Sequence, residues 1–204
     1  MKIVCLGDSL TYGYGVRRSA VWPCLAAKLS GVAVLNRGVN GITTAGMLGS
    51  FQRDVIAEGA EAVLLMGGAN DILFDLDAAG AEKNLGLMAR KALDAGIHTF
   101  IGIPAPFCPP IREDWLAMAD FTSALPVYTA YIRRLYAFAL ECGCTGVDFH
   151  AALPAYAEKS GAPLRSLFID GIHLNEQGHK IFAGCLAQAL QKSGLTASPS
   201  VELP

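Results

Sequence analysis

Short apolar runs alternate along the chain with longer segments whose apolar positions recur at helical spacing. Five runs have the length of a strand and are almost continuously apolar, so we predict strands over residues 2–6, 32–36, 62–66, 99–103 and 146–149. The intervening segments predict helices over residues 21–29, 44–57, 81–95, 122–142 and 176–192. Apolar strands that alternate with helices are typical of a parallel sheet covered on both faces. The pattern therefore predicts an α/β fold, a three-layer α/β/α sandwich around a five-stranded parallel sheet.

One segment interrupts this alternation. Residues 104–126 contain five prolines together with the bulky residues Phe107, Trp115 and Phe121, and they form the longest irregular connection in the predicted fold. Ordered loops of this length often form a lid or a pocket wall. A surface excursion that packs its aromatic side chains onto the domain is an equal alternative. The length of 204 residues fits one domain, so we predict a single domain over residues 1–204 with a frayed tail at 195–204.

Composition limits the partners that this chain can have. Hydrophobic residues make up 52% of it, charged residues 17%, and the net charge is -2, so we expect a compact protein with no nucleic-acid partner. No apolar run approaches the roughly 18 to 20 residues that span a bilayer, and the first residues are too short an apolar run for a signal peptide. We therefore expect a cytoplasmic protein without a membrane partner. The six cysteines form no C-x-x-C pair and are predicted to be reduced thiols.

Glycines and polar residues follow the predicted strands at the points where chemistry is expected. Because the carboxyl ends of parallel strands meet at one edge of an open sheet, groups that follow different strands can share one site. The first strand is followed by Gly-Asp-Ser at 7–9, the second by Asn-Gly at 40–41 and the third by Asn-Asp at 70–71. Asp-Gly-Ile-His at 170–173 follows the fifth strand and a loop.

Three of these residues, Ser9, Asp170 and His173, fit nucleophilic catalysis. A serine hydroxyl needs a base to take its proton, and the base works better when a carboxylate fixes its tautomer. A spacing of three residues on one turn can bring the carboxylate to one ring nitrogen while the other faces Ser9. The backbone N–H groups of Ser9 and Gly41 and the side-chain amide of Asn70 are candidates for an oxyanion hole. Each residue alone is also an ordinary turn or cap residue, so the prediction depends on their joint occurrence.

Four motifs resemble those of the GDSL, or SGNH, hydrolases. They are G-D-S-L at 7–10, N-R-G-V-N-G at 36–41, G-A-N-D at 68–71 and D-G-I-H-L-N at 170–175. The resemblance implies a flavodoxin-like topology with strand order 2-1-3-4-5. It also implies that Ser9 is the nucleophile, His173 the base, Asp170 its orienting partner, and that Ser9, Gly41 and Asn70 form the oxyanion hole. In many thioesterase and lysophospholipase relatives a proline follows this histidine. Leu174 occupies that position here, which weakens the transfer of those substrate classes to this chain.

These features predict a carboxylic ester hydrolase with a Ser-His-Asp triad, which acts on a small-molecule ester through an acyl-serine intermediate. Small or short-chain acyl esters suit a compact domain, and acetyl esters of carbohydrates are one candidate class. No cofactor or metal is expected, because His98, His150 and His179 have no partners at metal-ligand spacing. The pattern does not indicate an oligomeric state.

Three alternatives stay open at this stage. One is a lysophospholipase or thioesterase-type acylhydrolase, and another is an acyltransferase that uses the same triad behind a loop that excludes water. The third is a non-enzymatic, flavodoxin-like module whose first loop, around Ser9, cradles a flavin phosphate. The motifs D-G-I-H-L-N and G-A-N-D favour a hydrolase over the flavin module, because a phosphate loop requires neither of them.

Overall fold

Five parallel strands form the centre of the protein in the computed structural model, which describes residues 1–196. They lie in the order β2-β1-β3-β4-β5, and each neighbouring pair is parallel. This confirms the predicted sheet and its order. The predicted frayed tail lies outside the described residues from residue 197 onwards. The strands are β1 (Lys2–Gly7), β2 (Ala33–Gly38), β3 (Ala62–Met66), β4 (His98–Ile103) and β5 (Thr145–Asp148).

Helices connect the strands and follow the last one. None in the described part of the chain combines the length and apolarity needed to cross a membrane. A π-helical turn, Gln52–Ile56, continues α3, so the helix predicted over 44–57 changes its geometry halfway. The α-helices are α1 (Ser9–Tyr12), α2 (Trp22–Ser30), α3 (Thr44–Phe51), α4 (Ala69–Asp75), α5 (Ala78–Asp94), α6 (Glu113–Met118), α7 (Phe121–Glu141), α8 (Phe149–Ser160) and α9 (Glu176–Lys192).

Side chains of the strands alternate between two apolar cores, one on each face of the sheet. Val4 and Leu6 of β1 belong to the core shared with α3, α5 and α7. Ile3 and Cys5 of the same strand belong to the opposite core, which α2, α8 and α9 complete. Since successive side chains of a strand point to opposite faces, a strand buried on both sides must be apolar throughout. The two cores confirm the three-layer arrangement.

The prediction missed three short helices and one longer helix that contains proline. The short helices α1, α4 and α6 and the twelve-residue α8 were not predicted. Phe149 begins α8 instead of ending β5, and Pro126 and Pro154 lie inside helices although proline lacks the N–H of an interior position. The segment 104–126 is therefore not irregular throughout, because it contains α6 and the first turns of α7. All six cysteines are free thiols.

Candidate active site

The motif residues lie together at the carboxyl edge of the sheet. Ser9 begins α1 directly after β1, Gly41 lies between β2 and α3, and Asn70 lies in the first turn of α4 after β3. Asp170 and His173 lie on the turn that precedes α9. The sheet topology thus brings together groups from four separate stretches of the chain.

A capped turn and a close backbone contact fix the position of Ser9. The carboxylate of Asp8 accepts the N–H of Leu10 at 2.9 Å and so caps the start of α1. The end of β2 packs directly against this helix, because a Cβ atom on Gly38 would lie only 2.1 Å from the backbone nitrogen of Tyr12. A glycine is required at this point, and the turn that carries Ser9 is held between β1 and β2.

Ser9, His173 and Asp170 form a continuous hydrogen-bonded array. The Nε2 atom of His173 lies 2.9 Å from the Ser9 hydroxyl, and its Nδ1 atom lies 2.8 Å from Oδ2 of Asp170. The other carboxylate oxygen, Oδ1, accepts the backbone N–H groups of Ile172 at 3.0 Å and of His173 at 2.8 Å. With a carboxylate at Nδ1, the neutral ring carries its proton there, so Nε2 is the acceptor that can take the serine proton.

The array is buried, and this burial affects the pKa of its carboxylate. Asp170 is fully buried and His173 is 4% exposed. Burial alone would raise the pKa of Asp170, but hydrogen bonds from the His173 ring and backbone outweigh it and hold that pKa well below its usual range. Asp170 is therefore an anion that can stabilise an imidazolium on His173. Burial raises the pKa of the neighbouring Asp8 to about 6, against the opposing effects of the Leu10 N–H and His173.

The proposed oxyanion donors surround the same space. Ser9, Gly41 and Asn70 all line one cavity. Gly41 has a φ of 72°, a left-handed conformation that favours glycine. Asn70 donates one amide hydrogen to the carbonyl of Ile42 at 2.9 Å, and a primary amide has a second hydrogen to offer. This bond fixes the amide plane of Asn70 against the loop that carries Gly41.

The cavity beside Ser9 is small and its walls are largely apolar. Its volume is about 260 Å³. Phe74 and Met118, both more than half exposed, stand at its solvent side. Segment 104–126 contributes one wall, including Phe107, Trp115 and Phe121, which agrees with the pocket-wall interpretation. The other apolar lining residues include Leu10, Leu73, Ala105 and Ile172.

Two aromatic residues outside the predicted triad and oxyanion hole, Tyr14 and Trp115, pack against His173. The ring centroid of Tyr14 lies 4.3 Å from the centroid of the imidazole, and the ring centroid of Trp115 lies 5.3 Å from it. Trp115 also donates its indole N–H to Oδ2 of Asp170 at 2.7 Å. Its bulk within a proline-rich segment was visible in the sequence. The hydrogen bond was not visible there, because it depends on the path of that segment past the turn at Asp170.

The other three histidines lie outside the hydrogen-bonded array of Ser9, His173 and Asp170. The Nδ1 atom of His179 accepts the backbone N–H of Trp22 at 3.2 Å, and burial lowers the pKa of His179 to about 4. His150 lies 3.2 Å from the carbonyl of Pro104, and His98 faces the hydroxyl of Thr145. Over residues 1–196, no group of three or more His, Cys, Asp or Glu side chains is arranged to hold a metal ion.

A parallel sheet of order 2-1-3-4-5 with a Ser-His-Asp array at its carboxyl edge defines an SGNH hydrolase-like protein. The comparison with protein families agrees, since residues 5–181 match the GDSL-like lipase/acylhydrolase family. The chain belongs to this family, a hydrolase family of esterases. A search of curated protein sequences gave no significant match.

Solved structures share the fold across nearly the whole chain. A member of the lipolytic protein G-D-S-L family from Veillonella parvula is 23% identical, with a TM-score of 0.76 over 94% of this chain and 99% of that one. The lipase/acylhydrolase from Enterococcus faecalis is 21% identical, with a TM-score of 0.77 over 94% and 96%. The acetyl xylan esterase AlAXEase is 23% identical, with a TM-score of 0.75 over 93% and 100%. At these identities the likeness shows the fold.

Proposed function

We propose that the protein is a serine ester hydrolase that cleaves small or short-chain acyl esters through an acyl-serine intermediate. The observation that carries this proposal is the array of Ser9, His173 and Asp170, whose two hydrogen bonds measure 2.9 and 2.8 Å. The free side of the Ser9 hydroxyl belongs to a cavity that an acyl group can enter. Nucleophile, base and orienting carboxylate thus stand in the relation that acyl transfer to serine requires.

The first half of the reaction transfers the acyl group to Ser9. Nε2 of His173 takes the hydroxyl proton as Oγ forms a bond to the ester carbonyl carbon, and the carbonyl electron pair moves onto its oxygen. The N–H groups of Ser9 and Gly41 and the amide of Asn70 stabilise this oxyanion. When the oxyanion collapses, the carbon–oxygen bond to the alcohol breaks. His173 then donates its proton to the departing alcohol.

The second half releases the acid. Water enters the place that the alcohol has left and gives one proton to Nε2 of His173 while its oxygen attacks the acyl carbon. Collapse of the second tetrahedral intermediate breaks the bond to Ser9, whose oxygen recovers the proton from His173. Asp170 stays ionised in both halves and stabilises the imidazolium at Nδ1. The protein returns to its starting state without a cofactor.

The size and polarity of the cavity support a small or short-chain acyl ester as the substrate. Pockets for drug-sized ligands measure roughly 300–1,000 Å³, whereas this cavity measures about 260 Å³. The walls beyond Ser9 are mainly apolar, with Leu73, Phe107 and Phe121 among them. These walls suit a short aliphatic acyl chain. A polar alcohol, such as a carbohydrate, would face the open side, where Asn40 and Gly41 are exposed.

Hydrolysis of p-nitrophenyl esters from acetate to palmitate tests the proposal. Wild type, Ser9→Ala and the control Ser19→Ala, which alters an exposed serine outside the cavity, are assayed in parallel. We expect turnover that is fastest for short chains, and a loss of at least about two orders of magnitude in Ser9→Ala only. Full activity of Ser9→Ala would show that another group is the nucleophile. A wild-type protein that hydrolyses no ester of the series would refute the proposed function.

A further inference from the structure

The carboxylate of Asp170 is shared between the histidine and a residue of the cavity wall. Its Oδ2 atom accepts the Nδ1 proton of His173 at 2.8 Å and the indole N–H of Trp115 at 2.7 Å. We propose that Trp115 is a positioning residue, which fixes the orientation of Asp170, and through it of His173, and ties both to the wall of the acyl cavity. This inference rests on the proposed function of the same site.

The helix that carries Trp115 is tied to the catalytic turn. No residue of α6 is buried, and Trp115 packs only partly buried against the core. The backbone N–H of Arg112, just before α6, donates to the carbonyl of Asp170 at 2.9 Å. Upstream, the N–H of Cys108 donates to the carbonyl of Gly171 at 2.8 Å. With the bond from Trp115 these contacts join the wall and the catalytic turn into one unit.

Gly171 allows the catalytic turn to lie close to the segment before α6. Gly171 has a φ of 92°, and a Cβ atom there would lie within 2.9 Å of the carbonyl oxygens of Cys108 and Pro110. The segment before α6 therefore passes over the turn at a distance that only glycine allows. On the other side, Trp115 and Met118 of the same helix line the cavity. Trp115 therefore contacts both the acyl cavity and Asp170.

The shared acceptor has an electrostatic consequence. An indole N–H that donates to Oδ2 withdraws part of the negative charge that otherwise acts on the ring of His173. Without it, the carboxylate stabilises the imidazolium more strongly and is freer to rotate. Other charged and titratable groups also lie near the pair. Asp8 after β1 and His179 in α9 do not touch Trp115, whereas Arg112 lies over its ring at 6.0 Å and Tyr14 meets its edge at 5.9 Å.

The kinetic test compares Trp115→Phe, which keeps an aromatic ring but removes the N–H donor and part of the indole's bulk, with Leu116→Ala. Leu116 is 52% exposed on the same helix and lies outside the cavity. For p-nitrophenyl butyrate we expect kcat to fall about tenfold in Trp115→Phe, with KM changed less than about threefold. The acid limb of the kcat/KM profile should move to higher pH, because the imidazolium is better stabilised. Leu116→Ala should resemble wild type in all three quantities.

A second readout does not depend on turnover. We expect the proton between Nδ1 of His173 and Asp170, which lie 2.8 Å apart, to give a far-downfield proton NMR signal that is lost in His173→Ala. We expect this signal to move in Trp115→Phe and to stay in place in Leu116→Ala. An unmoved signal, or a kcat and pH profile equal to those of Leu116→Ala, would overturn the role of Trp115. If wild type hydrolyses no ester, the proposed function fails, while the NMR signal still decides whether Trp115 positions the pair.

Discussion

The carboxylate of Asp71 accepts both the backbone N–H of Thr44 at 3.0 Å and its hydroxyl hydrogen at 2.5 Å. Asp71 follows Asn70 in α4, and Thr44 begins α3, three residues after Gly41. Both partners are buried. This contact therefore sets the distance between two proposed oxyanion donors that come from different strands.

Asp71→Ala should weaken both the fold and the chemistry. Without the Asp71 carboxylate, the buried N–H and hydroxyl of Thr44 lose a hydrogen-bond acceptor. We therefore expect the free energy of unfolding to fall by about 1–3 kcal/mol. Displacement of Gly41 from Asn70 should lower kcat about tenfold or more under conditions where the protein is folded. Denaturant unfolding and ester hydrolysis measure the two effects, with the exposed Asp75→Ala as control. Unchanged kcat would show that the contact serves stability alone.

Asp8→Asn should change how stability depends on pH. The pKa of Asp8 is about 6 in the folded protein against 3.8 for the free group, so the folded state binds the proton more tightly. Its contribution to stability is complete below about pH 4 and is lost as the pH rises through 6. Wild type should therefore lose about 2–3 kcal/mol relative to Asp8→Asn between pH 4 and 7. Parallel curves for the two proteins in denaturant unfolding would contradict this, and Asp75→Asn serves as the exposed control.

His179→Gln should show the opposite pH dependence. The pKa of His179 is about 4 when folded against 6.5 for the free group, chiefly because of burial and then because of the charge of His173. The unfolded state binds the proton more tightly, so stability is lost as the pH falls from about 6.5 to 4. This loss, about 3 kcal/mol in wild type, should be absent in His179→Gln and present in the control His98→Gln. Thermal or denaturant unfolding at pH 4, 5, 6 and 7 measures it, and equal slopes for wild type and His179→Gln would refute it.

Phe107→Ala should extend the range of acyl chains. Phe107 lines the acyl cavity and also a neighbouring groove of about 340 Å³, and it stacks on Tyr128 at 4.2 Å. Removal of the ring should join the two spaces and raise the ratio of octanoate to butyrate hydrolysis about tenfold. That is the gain expected if about two of the four additional CH₂ groups become buried, at about 0.8 kcal/mol each.

The design of this test allows for lost stability. Since Phe→Ala substitutions cost about 3–5 kcal/mol, Phe107→Leu provides a milder variant with a smaller shift in the same direction. The ratio of two substrates does not depend on the fraction of folded protein. Thr129→Ala, which alters only the groove, should leave the ratio unchanged. A ratio equal to that of wild type in both Phe107 variants would show that Phe107 does not limit chain length.

The sequence predicted the features that depend on local pattern or on fixed motif spacing. Strand β3 is apolar at every position because it is buried on both faces, and Asp170 and His173 are close because they share one turn. Helix α6 left no such pattern, since its six residues bury no full side chain. The bond from Trp115 to Asp170 joins positions 55 residues apart and depends on tertiary packing alone.

The hydroxyl of Ser9 and the ring of His173 are separated by 164 residues of sequence. On the ribosome, the proposed nucleophile emerges with the first strand, whereas its base follows only after all five strands have been synthesised. A growing chain therefore holds an unactivated serine until the turn before α9 emerges and docks. Fragments that end before that turn would carry the G-D-S-L motif without its base, so the proposed activity requires every part of the chain from β1 to the turn before α9.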